Sequence, residues 1–309
     1  MTTSGGKAAG NDEGGMMRIA TLVGSDGLSA GDAAAASDVV RALGGEPGVS
    51  GWLEPGIAAT LAFFGAESGP VRDALEAAFP AADVFVRPAA AVWRLFVADM
   101  DSTMITVECI DELADYVGLK TEVAAVTEAA MRGELDFAEA LDRRVALLEG
   151  LAVSAIDDCL AARVRQTPGA ATLVQTLSAG GVRTLLVSGG FTRFAEPVAA
   201  AIGFDAARAN QLETLGGALT GRVVPPIVDA AVKRSALVDT ARALGASTAE
   251  AIAIGDGAND LLMVETAGLG VAYHAKPKLA EAADARIRYG DLTALLYGIG
   301  IRRDRWAAV

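Results

Sequence analysis

The sequence predicts an α/β protein in which a doubly wound parallel sheet carries an inserted helical cap and follows a smaller α+β domain. Three observations support this prediction. From residue 92 onward, short runs rich in Val, Leu and Ile end in Gly or Asp and alternate with helical stretches. Residues of about 107–175 carry helical patterns only. Before residue 90, strands and helices follow a different order.

The first part of the chain is predicted to be a tail and a small domain. Residues 1–16 have the composition of a disordered terminus. Residues 17–90 give the order strand, helix, strand, strand, helix, strand, which is a split βαβ arrangement. This order resembles the ferredoxin-like modules of the amino-acid-binding ACT kind, although no residue in it is diagnostic. A scaffold or dimerisation domain without a ligand is the open alternative, and a homodimer through this module is expected.

Residues 91–309 form the predicted doubly wound domain. It contains four apolar runs, in "RLFVADMD", "VRTLLVSGG", "AEAIAIGDG" and "AGLGVAY". These runs lack polar alternation, which is typical of parallel strands buried on both faces. Ligands of such sheets bind beyond the carboxyl ends of the strands. The segments "DMDST", "SGG" and "GDGAND" all fall at these ends, so we expect them to share one site.

Composition excludes several classes of protein. The net charge of -13 argues against binding nucleic acid, because that affinity depends on clustered Lys and Arg. No uncharged apolar run approaches the roughly 18 residues of a membrane span, and the N-terminus lacks a secretory signal pattern. Cys109 and Cys159 fit neither a disulfide framework nor a metal motif. We therefore expect a soluble cytoplasmic protein with reduced core thiols.

Asp99 and Asp101 directly follow an apolar run. Alternate residues of an extended strand point the same way, so the two carboxylates would crowd one volume. Two unit charges about 4 Å apart repel by roughly 4 kcal/mol at an effective dielectric near 20, a cost that a cation offsets. With Asp256, these residues supply the oxygen donors that Mg²⁺ prefers. The sequence therefore predicts a magnesium site that neutralises a phosphate.

Other polar residues of this predicted domain are further candidates for the site. Ser188 and Gly189 lie at a strand-to-helix turn, where they would either receive phosphate oxygens or cap a helix. Lys233 lies on a polar helical stretch, where a solvated lysine is the ordinary expectation. Asn259 and Asp260 follow glycines that permit a tight turn, and Asp260 opens a helix.

The segments "DMDST", "SGG" and "GDGAND", together with Lys233, form four motifs. In combination and order, these motifs resemble the haloacid dehalogenase-like phosphatase superfamily. The resemblance implies that Asp99 is the nucleophile that forms an aspartyl-phosphate, and that Asp101 is the acid and base. Repulsion from Asp99 and from the substrate dianion would raise the pKa of Asp101 by roughly 2 to 3 units. In the family the second aspartate gives the metal its backbone carbonyl, and Asp256 would be a further metal ligand.

The same resemblance assigns the remaining motif residues. It selects Lys233 over its neighbour Arg234 as the clamp on the phosphate. Asp260 would support the metal ligands from behind, and Asn259 would reach the substrate or its phosphate.

The segments "DMDSTMITVECIDELA" and "MRGELDFAEALDRRVALL" resemble the phosphoserine phosphatases more closely than the superfamily at large, over residues of about 93–290. In that family a glutamate and an arginine read the amino and carboxylate groups of serine, and these positions are Glu108 and Arg144. Met131 and Phe137 would be apolar walls around the substrate.

The residues themselves leave alternatives for this pair. Arg144 falls on the apolar stripe of the helix over residues 137–148, while Arg143 points away. A guanidinium there either grips a carboxylate or extends its charge to solvent from the rim of a packed face. Glu108 would otherwise be a solvated glutamate at a helix start.

The resemblance implies Mg²⁺-dependent hydrolysis of O-phospho-L-serine to L-serine and phosphate, the last step of L-serine biosynthesis. Two alternatives remain: a phosphatase or phosphotransferase for phosphothreonine or phosphohomoserine, and an amino-acid-sensing regulatory protein with an inactive phosphatase half. The intact acidic motifs speak against the second. His274 is the only histidine, which weakens Ser-His-Asp and phosphohistidine routes and favours a loop role for it.

Overall fold

The structure is a computed structural model that describes residues 15–131 and 134–309, without the side chains of residues 128, 130 and 131. The described residues form two compact units. One contains residues 15–91 with Leu296–Arg303, and the other contains Val92–Leu295 with Asp304–Val309. The predicted tail of residues 1–16 lies outside the described residues, apart from its last two positions.

The first unit has the split βαβ order predicted for its sequence. Its elements are β1 (Arg18–Gly24), α1 (Ala30–Ala42), β2 (Glu46–Glu54), β3 (Ala58–Phe64), α2 (Ser68–Ala78) and β4 (Ala82–Pro88). The strands lie in the order β2-β3-β1-β4, and every pair is antiparallel. The ferredoxin-like α+β prediction is therefore confirmed.

Helices α1 and α2 cover one face of this four-stranded arrangement. Alternate residues of the strands, such as Ala20 and Leu22 of β1, form one apolar cluster with Val40 of α1 and Leu75 of α2. Ser29 fixes the start of α1, because its side chain accepts a hydrogen bond from the Asp32 N–H.

The segment Leu296–Arg303 also belongs to the first unit. The Arg87 Nε donates a hydrogen bond of 3.1 Å to the Gly298 carbonyl. A Cβ at Gly298 would lie 2.5 Å from Cγ of Phe85, so only glycine permits this approach. The segment thus packs against β4.

The second unit contains the larger part of the chain. Its strands are β5 (Leu95–Ala98), β6 (Arg183–Phe191), β7 (Ala206–Leu215), β8 (Ala218–Val224), β9 (Ala251–Gly255), β10 (Leu269–Tyr273) and β11 (Ala285–Ile287). Its helices are α3 (Cys109–Tyr116), α4 (Lys120–Met131), α5 (Phe137–Ala146), α6 (Ser154–Arg163), α7 (Ala170–Ala179), α8 (Thr192–Ile202), α9 (Ala230–Ala243), α10 (Leu261–Thr266), α11 (Pro277–Ala282) and, ending in the first unit, α12 (Ala294–Gly298).

The strands of this unit lie in the order β11-β10-β9-β5-β6-β7-β8. All neighbouring pairs from β11 to β7 are parallel, and β8 is antiparallel to β7. Because the chain moves outward from β5 in both directions, the topological switch point lies between β5 and β9. The predicted doubly wound sheet is confirmed, and its switch point is where a ligand is expected.

The hairpin of β7 and β8 was not predicted from the sequence. Polar and charged residues interrupt its strands, so they lack the long apolar runs of the buried strands. The signal was the turn: Gly216 and Gly217 have φ values of 61° and 84°, as a tight hairpin turn with two left-handed residues requires.

Helices α3 to α6 form a helical insertion between β5 and β6. The chain enters and leaves it side by side: the Thr106 N–H donates to the Arg165 carbonyl, and the Thr167 N–H donates to the Met104 carbonyl, both at 3.0 Å. Among the helices of the described residues, none combines the length and the apolar composition that a membrane crossing requires.

Candidate active site

Asp99 stands immediately after β5, at the switch point. Its N–H donates a hydrogen bond of 3.0 Å to the Ile254 carbonyl of β9, so the backbone of two central strands fixes its position. Beyond it the chain forms a single irregular turn over Met100–Met104. Since the strand ends at Ala98, Asp99 and Asp101 do not share a strand face, and the alternation argument for this pair was wrong.

Lys233 of α9 is buried between two carboxylates. Its Nζ lies 2.6 Å from Asp99 Oδ1 and 2.8 Å from Asp260 Oδ1, and the residue has no exposed surface. Burial opposes its charge, but the two carboxylates outweigh burial and raise the pKa of Lys233 above its ordinary value. The interpretation of Lys233 as a solvated lysine was therefore wrong, while its neighbour Arg234 is exposed.

Three carboxylates, those of Asp99, Asp256 and Asp260, each place an oxygen within 4.8 Å of the others. The Gly257 N–H donates to Asp260 Oδ2 at 3.1 Å, which anchors that side chain. A Cβ at Gly255 would lie 2.3 Å from Cγ of Asp260, so the approach requires glycine. All-oxygen carboxylate donors are the ligands of hard divalent cations, and this group is a candidate metal centre.

The pKa values in this group reflect crowding of negative charge. Burial and then the charge of Asp260 raise the pKa of Asp99 well above its usual range, although Lys233 acts in the opposite direction. The same two causes raise the pKa of Asp256 to about 6, against the lowering by Lys276. A second cation beside Lys233 would relieve this repulsion. Of the predicted metal ligands, the group contains Asp99 and Asp256, together with Asp260, which was expected to support the ligands from behind.

Ser188, Gly189 and Gly190 lie near the end of β6, beside the turn that follows β5. Ser188 is buried, and its Oγ accepts a hydrogen bond of 2.8 Å from the Gly190 N–H. The N-cap residue of α8 is Phe191, so the interpretation of Ser188 as a helix cap was wrong. A Cβ at Gly190 would lie 3.1 Å from Asp101 Oδ2, which places this loop beside Asp101.

Asn210 of β7 was missed by the sequence reasoning. It is 1% exposed, its Nδ2 donates to the Gly189 carbonyl at 2.8 Å, and its Oδ1 accepts from the Val228 N–H at 2.7 Å. No motif marked it, because Asn210 stands between Ala209 and Gln211 in a strand that the sequence analysis did not predict. This side chain ties the end of β6 to the segment that leads into α9.

Asp101 is partly buried. Its Oδ1 is buried and has no hydrogen-bond partner among the described residues. Burial and then the charge of Glu108 raise the pKa of Asp101 to about 7, despite the lowering by hydrogen bonds from Cys109. The predicted direction of this shift is correct. In the structure burial and Glu108, rather than the predicted Asp99, are the main causes, and the predicted part of the substrate dianion stays a prediction.

Glu108 and Arg144 come from the helical insertion. Glu108 occupies the N-cap position of α3, but its carboxylate accepts from Ser102 Oγ at 2.7 Å instead of capping the helix. Arg144 of α5 is half-buried, and burial lowers its pKa although nearby carboxylates, Asp111 first, act against this. Arg143 is exposed and pairs with Glu139, in agreement with the predicted helix faces.

The remaining candidates have varied positions. A Cβ at Gly189 would lie 3.2 Å from Cζ of Phe137, so the structure brings this ring from α5 to the end of β6. Asn259 is partly exposed on the turn over Ala258–Asp260. The side chain of Met131 lies outside the described residues. His274 is exposed in the loop after β10, as expected of a loop residue.

Comparison with known proteins matches residues 96–265 to the family model described as haloacid dehalogenase-like hydrolase. The chain is 51% identical over 209 residues to a phosphoserine phosphatase of Polaromonas sp. strain JS666, covering 66% of this chain and 89% of that protein. It is 47% identical over 240 residues to the phosphoserine phosphatase SerB2 of Mycobacterium tuberculosis, covering 76% of this chain and 58% of that protein.

A solved structure is similar to this chain over nearly its whole length. An unliganded probable phosphoserine phosphatase of Vibrio cholerae superposes with a TM-score of 0.74 at 31% identity, covering 95% of this chain and 89% of that one. The residues matched by the family model, 96–265, include the acidic residues at the switch point and the helical insertion. The chain therefore belongs to the haloacid dehalogenase-like hydrolases and, among them, to the phosphoserine phosphatase family.

Proposed function

We propose that the protein hydrolyses O-phospho-L-serine to L-serine and phosphate through an aspartyl-phosphate, the last step of L-serine biosynthesis. The observation that carries the proposal is the buried ion pair of Asp99 and Lys233 at the switch point, with the Ser188 loop beside Asp101. The phosphoserine phosphatases to which the chain is similar support the choice of ester.

Asp99 is the proposed nucleophile. Its Oδ1 accepts from the Met100 N–H at 2.8 Å and pairs with Lys233, which leaves Oδ2 to attack phosphorus. Attack forms the Asp99–phosphorus bond and breaks the bond from phosphorus to the serine oxygen. Lys233 therefore has two proposed roles. It holds the Asp99 carboxylate in place, and its positive charge attracts the phosphate.

The phosphate would be held by the Ser188 hydroxyl, the Gly189 N–H and Lys233, with Asn259 as a further contact. Ser188 and Lys233 are both buried, so their hydrogen bonds to an anion are little weakened by water. Asn210 fixes the Gly189 carbonyl, which keeps the neighbouring backbone in place.

The carboxylates of Asp99, Asp256 and Asp260 fit a hard divalent cation, and we propose Mg²⁺ as the resident ion. The predicted ligation by Asp101 through its backbone carbonyl stays part of this proposal. When bound, the ion would neutralise phosphate oxygens so that an anionic nucleophile can approach them.

Asp101 is the proposed acid and base. With a pKa of about 7, a large fraction of it carries a proton at neutral pH, so it can protonate the departing serine oxygen. Water then attacks phosphorus and gives a proton to the Asp101 carboxylate. This step forms the bond from the water oxygen to phosphorus and breaks the Asp99–phosphorus bond. Phosphate leaves, and both aspartates return to their starting states.

Glu108 and Arg144 are proposed to bind the ammonium and carboxylate groups of the substrate. The half-buried Arg144 presents a guanidinium suited to a carboxylate, and Phe137 would form an apolar wall, with Met131 as its predicted counterpart. Such groups reject simpler esters, because each lost partner leaves a polar group unpaired.

The test is phosphate release from O-phospho-L-serine with Mg²⁺, with EDTA and in an Asp99→Asn variant. The matched control is Asp239→Asn, which changes an exposed acid paired with Arg242. We expect metal-dependent release that Asp99→Asn abolishes and Asp239→Asn retains. Equal rates with phosphothreonine and phosphohomoserine would contradict the serine assignment, and serine binding without any phosphate release would favour a regulatory protein.

Two further expectations belong to this proposal. Cys109 and Cys159 are free and buried, which supports a reducing, cytoplasmic location. A homodimer through the first unit stays a prediction that light scattering of the purified protein would test.

A further inference from the structure

Ser102 has an unusual backbone for its residue type. Its φ is 55° and its ψ is 5°, the left-handed region that L residues avoid. Within residues 15–131 and 134–309, His274 is the other non-glycine residue with positive φ. Such conformations persist where surrounding structure enforces them, and they are enriched at functional sites. The Ser102 N–H donates to the Val107 carbonyl at 3.2 Å, which closes the loop that leads into α3.

The left-handed turn brings the Ser102 hydroxyl to Glu108. Its Oγ donates a hydrogen bond of 2.7 Å to Glu108 Oε1. A glutamate at an N-cap position ordinarily competes for the free N–H groups of its helix, but this carboxylate makes no such bond. The carboxylate is therefore turned back from α3 towards the loop that carries Asp99 and Asp101.

The type of partner matters for the charge on Glu108. A hydroxyl donates to one carboxylate oxygen without neutralising the group, whereas Lys or Arg would satisfy its charge. Among the described residues, no Lys or Arg nitrogen forms an ion pair with Glu108. The Ser102 bond thus orients the carboxylate through Oε1 and leaves Oε2 to meet a cationic group.

We propose that Ser102 is a positioning residue for substrate selection: it holds Glu108 so that the site prefers phosphate esters that carry an ammonium group. This inference rests on the proposed function, in which Glu108 binds the ammonium of O-phospho-L-serine. Ser102 acts through Glu108, so its removal affects esters with an ammonium group and spares esters without one.

The experiment compares two esters that differ in that group alone: O-phospho-L-serine and 3-(phosphonooxy)propanoate. In Ser102→Ala we expect kcat/KM for phosphoserine to fall about tenfold, mainly through KM, as the loss of a hydrogen bond to a charged group at a partly exposed site implies. For 3-(phosphonooxy)propanoate we expect a change below about twofold. Thr106→Ala is the matched control, because it removes an exposed hydroxyl of the same loop that lies 3.5 Å from the Arg165 carbonyl.

A second variant separates the hydroxyl from the backbone. Ser102→Gly removes the same hydrogen bond but tolerates the left-handed conformation, so it remains folded even where alanine is strained. We expect it to lose selectivity as Ser102→Ala does. Full selectivity in Ser102→Gly would overturn the proposal, because the backbone would then be the cause of the alanine effect.

A double-mutant cycle tests whether Ser102 acts through Glu108. Adding Ser102→Ala to Glu108→Ala is expected to cause no further loss with phosphoserine. Additive losses, or equal losses with both esters in the single variant, would overturn the inference while leaving the proposed function intact. A wild-type enzyme that turns over both esters equally well would instead contradict the proposed function itself.

Discussion

Lys233→Met should be the most destabilising single change at the active site. The substitution keeps the volume of the side chain but removes the charge between Asp99 and Asp260, which lie 2.6 and 2.8 Å from the Lys233 Nζ. Breaking a buried ion pair by removing one partner costs roughly 3–5 kcal/mol, because the remaining charges are uncompensated. For a unit of about 200 residues this predicts a fall in Tm of roughly 6–20 °C.

The cost should depend on pH. In the folded state the pKa of Asp99 is already raised, so the folded state binds more protons than the unfolded state and stability falls as pH rises through that pKa. Loss of Lys233 removes a charge that lowers this pKa, so it raises the pKa further. The variant should therefore lose most stability at pH 8 and least near pH 5, by up to about 1.4 kcal/mol per pH unit.

The assay is thermal unfolding in EDTA at pH 5, 6.5 and 8, followed by circular dichroism. Arg234→Met is the matched control, since that neighbouring side chain is exposed and should change stability by less than about 0.5 kcal/mol. A Lys233→Met protein as stable as Arg234→Met at pH 8, or one whose deficit does not shrink at lower pH, would refute the reasoning.

Three further outcomes are expected. Because Asp101 must be protonated to act as an acid and its pKa is about 7, kcat/KM for phosphoserine should fall about tenfold per unit above pH 7; a profile from pH 6 to 9 that stays flat contradicts this role. Asn210→Asp should lower kcat/KM roughly 10–100-fold and weaken inhibition by inorganic phosphate, because a carboxylate then faces a carbonyl; Gln211→Glu, an exposed amide-to-acid change next to it, should not. Arg144→Ala should raise KM for phosphoserine roughly 10–100-fold and Arg143→Ala less than about twofold in steady-state assays, and similar KM values would remove Arg144 from substrate binding.

The doubly wound sheet was predictable from sequence because its central strands are continuous apolar runs, and such runs allow few other structures. The acid residues at their ends were predictable for the same reason: in a parallel sheet, chain positions after the strands meet at one edge. Asp99 and Asp256 follow β5 and β9, which are neighbours.

Side-chain environments were less predictable, because they depend on contacts between distant segments. Local sequence around Lys233 is polar, and only the carboxylates of two other loops explain its complete burial. Likewise, the hydrogen bond that links Ser102 to Glu108 depends on a left-handed backbone at Ser102. A left-handed residue is ordinarily recognised in a sequence by a glycine, and this position is a serine. Asn210 lacked any motif and was found only through its two buried bonds.

The helical insertion enters and leaves the sheet unit through neighbouring backbone segments, joined at Thr106 and Thr167. An inserted segment whose two ends lie together can be lengthened, shortened or exchanged without separating the strands that frame it. Asp99, Lys233 and Asp256 all lie outside the insertion, whereas Glu108, Phe137 and Arg144 lie within it. In the proposed mechanism, bond-breaking chemistry and choice of ester thus occupy separable stretches of the chain, so a chimaera carrying another insertion should acquire a new substrate range while its catalytic residues stay unchanged.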